Sequence, residues 1–401
     1  LLCSAEYALD EVEYVCPNHG AVGTLDVLYD HEAIRREVKR EEISRSDWHS
    51  MWRYLPLLPV ERPDLIPPLE VGWTPLYHVP RLGSVAGLAD LWLKDEGRNP
   101  TGSLKDRASA MALTRARELG YDTIATASTG NAAAALAGIA ASVGIRAVIF
   151  VPRRAPQAKI AQLLVYGAEL YLVDGSYDDA FELSLEASEK EGWYCRNTGY
   201  NPFMTEGKKT VAYEIAEQLG WEVPDVVVVS VGDGSIIGGV HKGFHDLLQL
   251  GWIEQMPRLI GAQAVGSDAC ARAWESDMGE LLRITAATRA DSISADYPRD
   301  GHKAVRAVHE TGGGFVRVAD DDILAAIPEM AQHTGVFPEP AAAAAWAGAK
   351  QALQDNLIHS NERIVVLSTG NGLKDVAAAM AAVGEGRARI IGKEGLEPGK
   401  E

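Results

Sequence analysis

The chain has 401 residues, of which 47% are hydrophobic and 23% charged, a balance that excludes an intrinsically disordered chain. Acidic residues outnumber basic ones by 56 to 38, and the formal net charge of −18 argues against a nucleic-acid backbone or an anionic membrane surface as the main partner. No apolar run approaches the roughly 20 residues that a membrane-spanning helix needs, and four cysteines are too few for a disulfide framework, so we expect a cytoplasmic location.

The first 30 residues form a segment in which cysteine and histidine lie in short, turn-forming contexts. The sequence begins at Leu1 rather than at a methionine, and we expect that some residues precede it. Cys16 and His19 have a C-x2-H spacing that is compatible with zinc, and Cys3 is a third candidate ligand. A tetrahedral site would need a fourth ligand, which could precede Leu1. The alternative, which we adopt as the prediction, is a degenerate zinc ribbon with no metal.

Residues 31–93 are predicted to be an N-terminal arm that leads into the larger of two domains. A charged helical stretch is followed there by six prolines between positions 56 and 75. From about residue 90, strands alternate with helices, which is typical of an α/β fold with mainly parallel sheets. We predict strands at 91–94, 123–127, 147–151, 169–173, 226–231 and 364–367. The valine run at 226–231 is typical of a strand buried on both faces.

A candidate catalytic lysine follows the first of these strands. Pro100 and Gly102 break the chain, and a helix is predicted from about Ser103, with Lys105 in its first turn. The positive end of a helix dipole disfavours a charged lysine, and a neutral amine is what Schiff-base chemistry requires. The alternative is a solvated surface lysine.

Three further loops follow predicted strands, at the edge where open α/β sheets bind ligands. Ser128, Thr129, Gly130 and Asn131 precede a helix and are predicted to form a carboxylate-binding loop, or else an ordinary helix cap. The glycine-rich stretch 232–239 is predicted to bind a phosphate rather than to be a mere tight turn. It matches neither the dinucleotide fingerprint nor the P-loop.

The fourth loop, 368–375, offers the hydroxyl of Thr369 at the end of the last predicted strand, with a helix-capping turn as the alternative. Together the four loops supply a lysine for an aldehyde, an anion site, a phosphate site and a hydroxyl. Those are the groups that bind pyridoxal phosphate on an α/β scaffold.

With these motifs, the chain resembles the fold-type-II pyridoxal-phosphate enzymes, and within them the threonine synthase family, from about residue 70 to residue 385. The motifs are Pro-Thr-Gly-Ser-Leu-Lys-Asp-Arg at 100–107, Ser-Thr-Gly-Asn at 128–131, Glu-Gly-Lys-Lys-Thr at 206–210, Gly-Asp-Gly-Ser-Ile at 232–236, Glu-Pro-Ala-Ala-Ala at 339–343 and Thr-Gly-Asn-Gly-Leu-Lys-Asp at 369–375. The resemblance implies two doubly wound, mostly parallel-sheet domains with the cofactor in the cleft between them. It implies a smaller domain at 94–204, a larger cofactor domain at 205–385 and a C-terminal tail at 386–401.

The resemblance also implies a role for each site residue. Lys105 would bind the cofactor covalently and act in catalysis, and Asn131 would hydrogen-bond its phenolic oxygen. Ser128, Thr129 and Gly130 would hold the substrate carboxylate, and Thr369 would face the pyridine nitrogen. The cofactor phosphate would be wrapped by Gly232, Asp233, Gly234, Ser235 and Ile236. Glu339 matches a glutamate beside the cofactor.

Two stretches depart from the family pattern near the expected substrate phosphate. Met204 stands where the family carries an arginine, and residues 292–298 lack the expected Arg-Ile-Gly-Asn-Pro run. If the substrate is phosphorylated, another cation must bind its phosphate. The candidates are Arg196, Lys208, Lys209 and Arg299.

The sequence therefore predicts a pyridoxal-phosphate lyase that converts O-phosphohomoserine and water to threonine and phosphate. The alternatives are a β-replacement enzyme acting on phosphoserine (cysteate-synthase-like), a threonine or serine ammonia-lyase, and a cofactor-free regulatory paralogue. We expect a homodimer that acts on a small amino acid, with neither nucleic acid nor membrane as partner.

Overall fold

Two separate β-sheets organise the computed structural model, which describes residues 1–155, 157–276 and 279–384. The larger sheet has six strands in the order β1-β2-β10-β7-β8-β9, and the smaller has four in the order β5-β4-β3-β6. All neighbouring strands are parallel except β1 and β2. The strands are β1 (Leu76–His78), β2 (Asp90–Asp95), β3 (Thr123–Ala127), β4 (Arg146–Pro152), β5 (Glu169–Val173), β6 (Tyr194–Cys195), β7 (Val226–Ser230), β8 (Arg258–Ala264), β9 (Gly314–Val318) and β10 (Arg363–Ser368).

Helices connect the parallel strands and cover the sheets. They are α1 (His31–Glu37), α2 (Arg40–Ser44), α3 (Pro80–Ala86), α4 (Lys105–Glu118), α5 (Asn131–Val143), α6 (Gln157–Val165), α7 (Tyr177–Glu191), α8 (Phe203–Gln218), α9 (Ser235–Gln249), α10 (Ala269–Glu275), α11 (Gly301–Glu310), α12 (Asp320–Thr334), α13 (Pro340–Gln354) and α14 (Val376–Val383). None of the helices in the described part of the chain has the length and apolar character needed to cross a bilayer.

The larger sheet is covered by helices on both faces, as the valine run predicts. Val227 and Val229 of β7 pack into one hydrophobic cluster with α8 and α9, whereas Val226 and Val228 pack into another with α12 and α13. Successive side chains of a strand point to opposite faces, so both faces of β7 are buried. The predicted α/β fold with two doubly wound, mostly parallel sheets is confirmed.

Several elements escape the sequence prediction. Strands β8 and β9 pair in parallel beside β7, while β1 and β6 are only three and two residues long. The predicted boundary after residue 93 falls inside strand β2, which belongs to the larger sheet. The predicted tail at 386–401 lies outside the described residues. The domain limits stay a prediction.

Close helix packing fixes the two helices whose first turns carry candidate site residues. A Cβ atom at Gly207 of α8 would overlap the carbonyl oxygen of Arg107 in α4, and one at Gly243 of α9 would overlap the carbonyl oxygen of Lys209 in α8. Only glycine permits so close a backbone approach. Helix α8 is therefore packed closely against the first turn of α4, which carries Lys105, and against the middle of α9, which begins at Ser235.

Four buried charges lie beside this helix packing and form what we call the central ion cluster: Lys94, Glu96, Arg107 and Glu214. Arg107 Nη2 lies 2.7 Å from Glu96 Oε1 and 2.7 Å from Glu214 Oε2, and Lys94 Nζ lies 2.7 Å from Glu214 Oε2. All four side chains are fully buried. Burial of an unpaired ion is costly, so each of these two cations and two anions needs its partners in the cluster. The cluster joins β2, α4 and α8.

Residues 24–31 are attached to the larger sheet's helices by polar contacts. Thr24 Oγ1 donates to Asp300 Oδ1 at 2.9 Å, and Asp26 Oδ1 lies 3.0 Å from Lys303 Nζ. Farther along, His31 Nε2 lies 3.0 Å from Asp246 Oδ1. These contacts place the segment before α1 against α9 and α11.

Candidate active site

A cavity of about 330 Å³ opens at the C-terminal edges of both sheets. It is lined by residues that follow β3, β5, β6 and β7 and by the loop 291–299. The predicted site residues among its lining are Lys105, Ser128, Thr129, Gly130, Asn131, Gly232, Asp233, Gly234, Ser235 and Ile236. Residues distant in sequence are thus brought to one cavity.

Lys105 is the first residue of α4, and its side chain lines the cavity. Desolvation by the surrounding protein, and then the positive charge of Arg196, lower the pKa of the Lys105 amine to about 8. A larger fraction is therefore neutral and nucleophilic near neutral pH than for an ordinary lysine. The surface-lysine alternative is wrong.

The glycine-rich loop turns directly from β7 into α9. Gly234 has φ +87°, and a Cβ atom there would lie 2.6 Å from the carbonyl oxygen of Asp300, so the turn requires glycine. Helix α9 begins at Ser235, whose Oγ accepts a hydrogen bond from Lys208 Nζ at 2.8 Å. Free backbone N–H groups at a helix start attract anions. Burial, and then the positive charge of Lys105, lower the pKa of the Lys208 amine well below its ordinary value, and a bound anion would favour its charged form. Phosphate binding by this loop stays a prediction.

The loop 128–131 ends at the start of α5, which has no side-chain cap. The alternative of an ordinary side-chain cap is therefore wrong. Ser128 Oγ accepts a hydrogen bond from the Gly130 N–H at 3.2 Å. Asn131 Nδ2 donates to Glu339 Oε1 at 2.7 Å, and burial raises the pKa of the Glu339 carboxyl to about 7. Asn131 and Glu339, which the resemblance places separately near the cofactor, are therefore hydrogen-bonded to each other, and their roles toward the cofactor stay a prediction.

Thr369 is buried beside the start of α4 but is not among the residues that line the cavity. Its carbonyl oxygen accepts a hydrogen bond from the Leu104 N–H at 2.9 Å. The neighbouring Ser368 Oγ is buried without a hydrogen-bond partner among the described residues. The end of β10 therefore contacts the start of α4 through the backbone of Thr369, and the role of the Thr369 hydroxyl stays a prediction.

Arg196 supplies a buried guanidinium to the cavity wall. It follows β6 directly and is 1% exposed. Its Nε donates to Ser109 Oγ at 3.2 Å and its Nη1 to Thr198 Oγ1 at 3.1 Å, while Nη2 is buried with no partner among the described residues. Desolvation lowers the pKa of this guanidinium to about 10, which leaves it charged at neutral pH.

The other candidate cations differ in their surroundings. Lys209 lies 2.8 Å from both Glu206 Oε2 and Asp246 Oδ2, so its charge is already paired and Lys209 as a phosphate ligand is wrong. Lys208 does not line the cavity either, but it contacts Ser235, which does. Arg299 lines the cavity, but its guanidinium lies 3.7 Å from the Phe181 ring centroid and 3.6 Å from Asp178. Across the described residues, no carboxylate oxygen lies within 4.0 Å of the charged nitrogens of Lys105, Arg196 or Lys208.

Sequence reasoning missed some lining residues. Tyr177 starts helix α7 after the capping residue Ser176, and desolvation raises the pKa of its phenol strongly. Ser230 ends β7 with a buried Oγ that has no partner in the described part of the chain. Tyr177 follows the end of β5 and Ser230 is the last residue of β7, and a position at the C-terminal end of a strand is the signal that could have found them.

Comparison with known proteins gives consistent results. A family model described as pyridoxal-phosphate dependent enzyme matches residues 68–370. A threonine synthase of Methanocaldococcus jannaschii is 37% identical over 382 residues, which cover 95% of this chain and 93% of that protein. A threonine synthase of Methanosarcina acetivorans is 38% identical, covering 93% of this chain and 91% of that protein.

Solved structures of lower sequence similarity share the fold. Threonine deaminase isoform 2 from Solanum lycopersicum superposes with a TM-score of 0.68 at 24% identity, covering 83% of this chain and 92% of that one. Maize serine racemase superposes with a TM-score of 0.66 at 23% identity, covering 77% and 91% of the two chains.

Proposed function

The chain belongs to the family of pyridoxal-phosphate-dependent enzymes, and we propose that it converts O-phosphohomoserine and water to threonine and phosphate, as a threonine synthase. Its cofactor is pyridoxal phosphate. The reaction breaks the bond between the γ-carbon and the phosphate oxygen, and water adds its oxygen at the β-carbon. A site for this reaction must hold two phosphate groups and one carboxylate.

Buried positive charge without carboxylate partners supports the fit of cofactor and substrate to this cavity. Lys105, Lys208 and Arg196 have no ion pair within the described residues. Arg196 stays charged at neutral pH, whereas burial lowers the pKa of Lys105 and Lys208. A buried charge without a counter-ion is costly, and anionic ligands would supply the counter-charge and favour the charged form of both lysines. The cofactor phosphate would be held by the backbone N–H groups of 232–236, with Lys208 beside Ser235.

The unpartnered Nη2 of Arg196 is the observation that carries the choice of a phosphorylated substrate. An unsatisfied buried donor on a charged group costs more than the roughly 1–3 kcal/mol of a neutral one. Arginine presents its donors in a fork that matches phosphate geometry. We assign the substrate phosphate to Arg196, which takes over the task of the family arginine that Met204 replaces.

When bound, the cofactor withdraws electrons and acidifies the protons at the substrate α- and β-carbons. Lys105 would hold the cofactor through its aldehyde carbon and, once released, would move protons at those carbons, for which a pKa near 8 suits a base and an acid alike. Ser128, Thr129 and Gly130 would orient the substrate carboxylate. Asn131 would position the cofactor ring through its phenolic oxygen, with Glu339 holding the Asn131 amide. Thr369 would face the ring nitrogen as a neutral partner.

Product identification tests this function. The holoenzyme is incubated separately with O-phosphohomoserine, phosphoserine and threonine, with Lys105→Ala as the inactive control. We expect threonine and inorganic phosphate from O-phosphohomoserine alone. Release of phosphate from phosphoserine with a sulfur nucleophile would identify a β-replacement enzyme instead, and formation of an oxo acid and ammonia from threonine would identify an ammonia-lyase.

We also propose that the protein works in the cytoplasm as a homodimer. All four cysteines are free thiols in the structure, which suits a reducing compartment. The dimer is an expectation from the family resemblance. Light scattering coupled to size-exclusion chromatography measures it directly, and a mass near 43.1 kDa would refute the dimer.

A further inference from the structure

A cluster of three potential metal ligands lies in the N-terminal segment, outside the active-site cavity. The ligand atoms of Cys3, Cys16 and His19 all lie within 4.8 Å of one another. Cys3 Sγ lies 3.7 Å from Cys16 Sγ, and Cys16 Sγ lies 3.4 Å from His19 Nδ1. None of the three residues lines the cavity, so the reaction described above does not account for them.

The spacing of these atoms matches a tetrahedral zinc ion. With zinc–sulfur bonds near 2.3 Å and zinc–nitrogen bonds near 2.05 Å, tetrahedral angles place two sulfurs about 3.8 Å apart and a sulfur and a nitrogen about 3.6 Å apart. The observed separations of 3.7 and 3.4 Å agree with these values. A set of two thiols and one imidazole suits zinc rather than magnesium or calcium, which prefer oxygen ligands.

The backbone holds Cys16 and His19 in a tight turn. The N–H groups of His19 and Gly20 both donate to the Cys16 carbonyl oxygen at 3.0 Å, and the Cys16 N–H donates to the Gly23 carbonyl oxygen at 2.8 Å. A Cβ atom at Gly23 would lie 2.9 Å from the Cβ of His19 and 3.0 Å from that of Cys16. The absence of a side chain at this position lets the two ligands converge.

We propose that Cys3, Cys16 and His19 bind one Zn²⁺ ion, whose fourth coordination position takes water or another donor. This proposal replaces the metal-free interpretation of the sequence. The ion has a structural task, because the same turn continues into Thr24, whose side chain donates to Asp300. Asp300 donates its N–H to the carbonyl oxygen of Asp233 in the glycine-rich loop. Zinc would therefore hold in place the segment that contacts the glycine-rich loop through Asp300.

Metal analysis tests the proposal. The full-length chain, purified without added metal and dialysed, should carry about one zinc per chain by elemental mass spectrometry. Cys16→Ser and His19→Ala should each lose most of this zinc, while Cys270→Ala, which removes a buried cysteine elsewhere, should retain it. Cobalt substituted for zinc should give a thiolate-to-metal charge-transfer band together with the intense visible bands of tetrahedral cobalt.

Two results would overturn the proposal. One is wild-type protein without zinc, before and after incubation with zinc under reducing conditions. The other is zinc content that is equal in wild type, Cys16→Ser and His19→Ala. An intact mass lower by two hydrogens would then identify a Cys3–Cys16 disulfide in its place. Circular dichroism and the visible absorbance of the bound cofactor establish that each variant is folded, so a failure here is distinguishable from a failure of the proposed activity.

Discussion

Replacing Arg196 by methionine removes the buried guanidinium and keeps most of the side-chain volume. The change deletes Nη2, the donor assigned to the substrate phosphate, and the hydrogen bonds to Ser109 and Thr198. A hydrogen bond to a charged group is worth about 1.5–3 kcal/mol. At 1.4 kcal/mol per factor of ten, kcat/KM for O-phosphohomoserine should fall roughly 10- to 150-fold.

Continuous measurement of phosphate release gives kcat and KM separately. If the arginine binds substrate and transition state equally, KM rises and kcat is unchanged. Arg299→Met is the matched control, since this arginine lines the same cavity but is engaged with Phe181 and Asp178. Its effect should be smaller, and both variants should bind the cofactor as the wild type does. An Arg196→Met enzyme with wild-type kinetics would refute the assignment of the substrate phosphate.

Three further predictions concern Lys105, the pH dependence of cofactor uptake and the packing of α8. Lys105→Ala should abolish turnover and the visible absorbance of lysine-bound cofactor while leaving the far-ultraviolet circular dichroism unchanged. A borohydride-reducible cofactor adduct in this variant would show that another lysine is used. The rate at which cofactor-free wild type takes up pyridoxal phosphate should rise as the pH rises through about 8. The pKa of Lys105 is lowered to about that value, and the neutral amine is the nucleophile. An uptake rate that does not change between pH 6 and 9, measured by stopped-flow absorbance, would contradict this prediction. Gly207→Ala should lower the free energy of unfolding by about 1–3 kcal/mol or more, because the added Cβ overlaps the Arg107 carbonyl oxygen. Urea denaturation measures this free energy. Gly130→Ala, where no atom lies within 4 Å of the added Cβ, is the control for crowding, whereas Gly120→Ala is unsuitable because Gly120 has a φ of +79°.

Local signals in the sequence predict much of the fold. The valines of β7 and the glycines after it are read correctly because burial on both faces and a tight strand-to-helix turn each demand particular residue types. Strands β8 and β9 are missed because Gly261 and Gln263 in the first, and Arg317 in the second, interrupt the apolar pattern. Both strands are stabilised by pairing with neighbours distant in sequence.

The choice among the candidate cations could not be made from the sequence. Lys208 and Lys209 are adjacent, but successive residues on a helix point about 100° apart. Lys208 reaches Ser235 at the start of α9, beside the cavity, whereas Lys209 reaches Asp246 near the other end of α9. The lack of a hydrogen-bond partner for Arg196 Nη2 is likewise a property of the folded chain, because it depends on which acceptor atoms the surrounding segments bring close to it.

The central ion cluster limits how this chain can be recombined with its relatives. Removing one member of a buried ion pair costs about 3–5 kcal/mol, a large part of the roughly 5–15 kcal/mol by which a folded protein is stable. In a chimera with a crossover between Arg107 and Glu214, one parent would supply Arg107 and the other the residue at position 214. The chimera would keep the buried ion pair only if both parents carry these charges. Residues 94–107 and Glu214 should therefore be exchanged as one block, whereas a crossover in the turn after α8 leaves all four charges in a single parental segment.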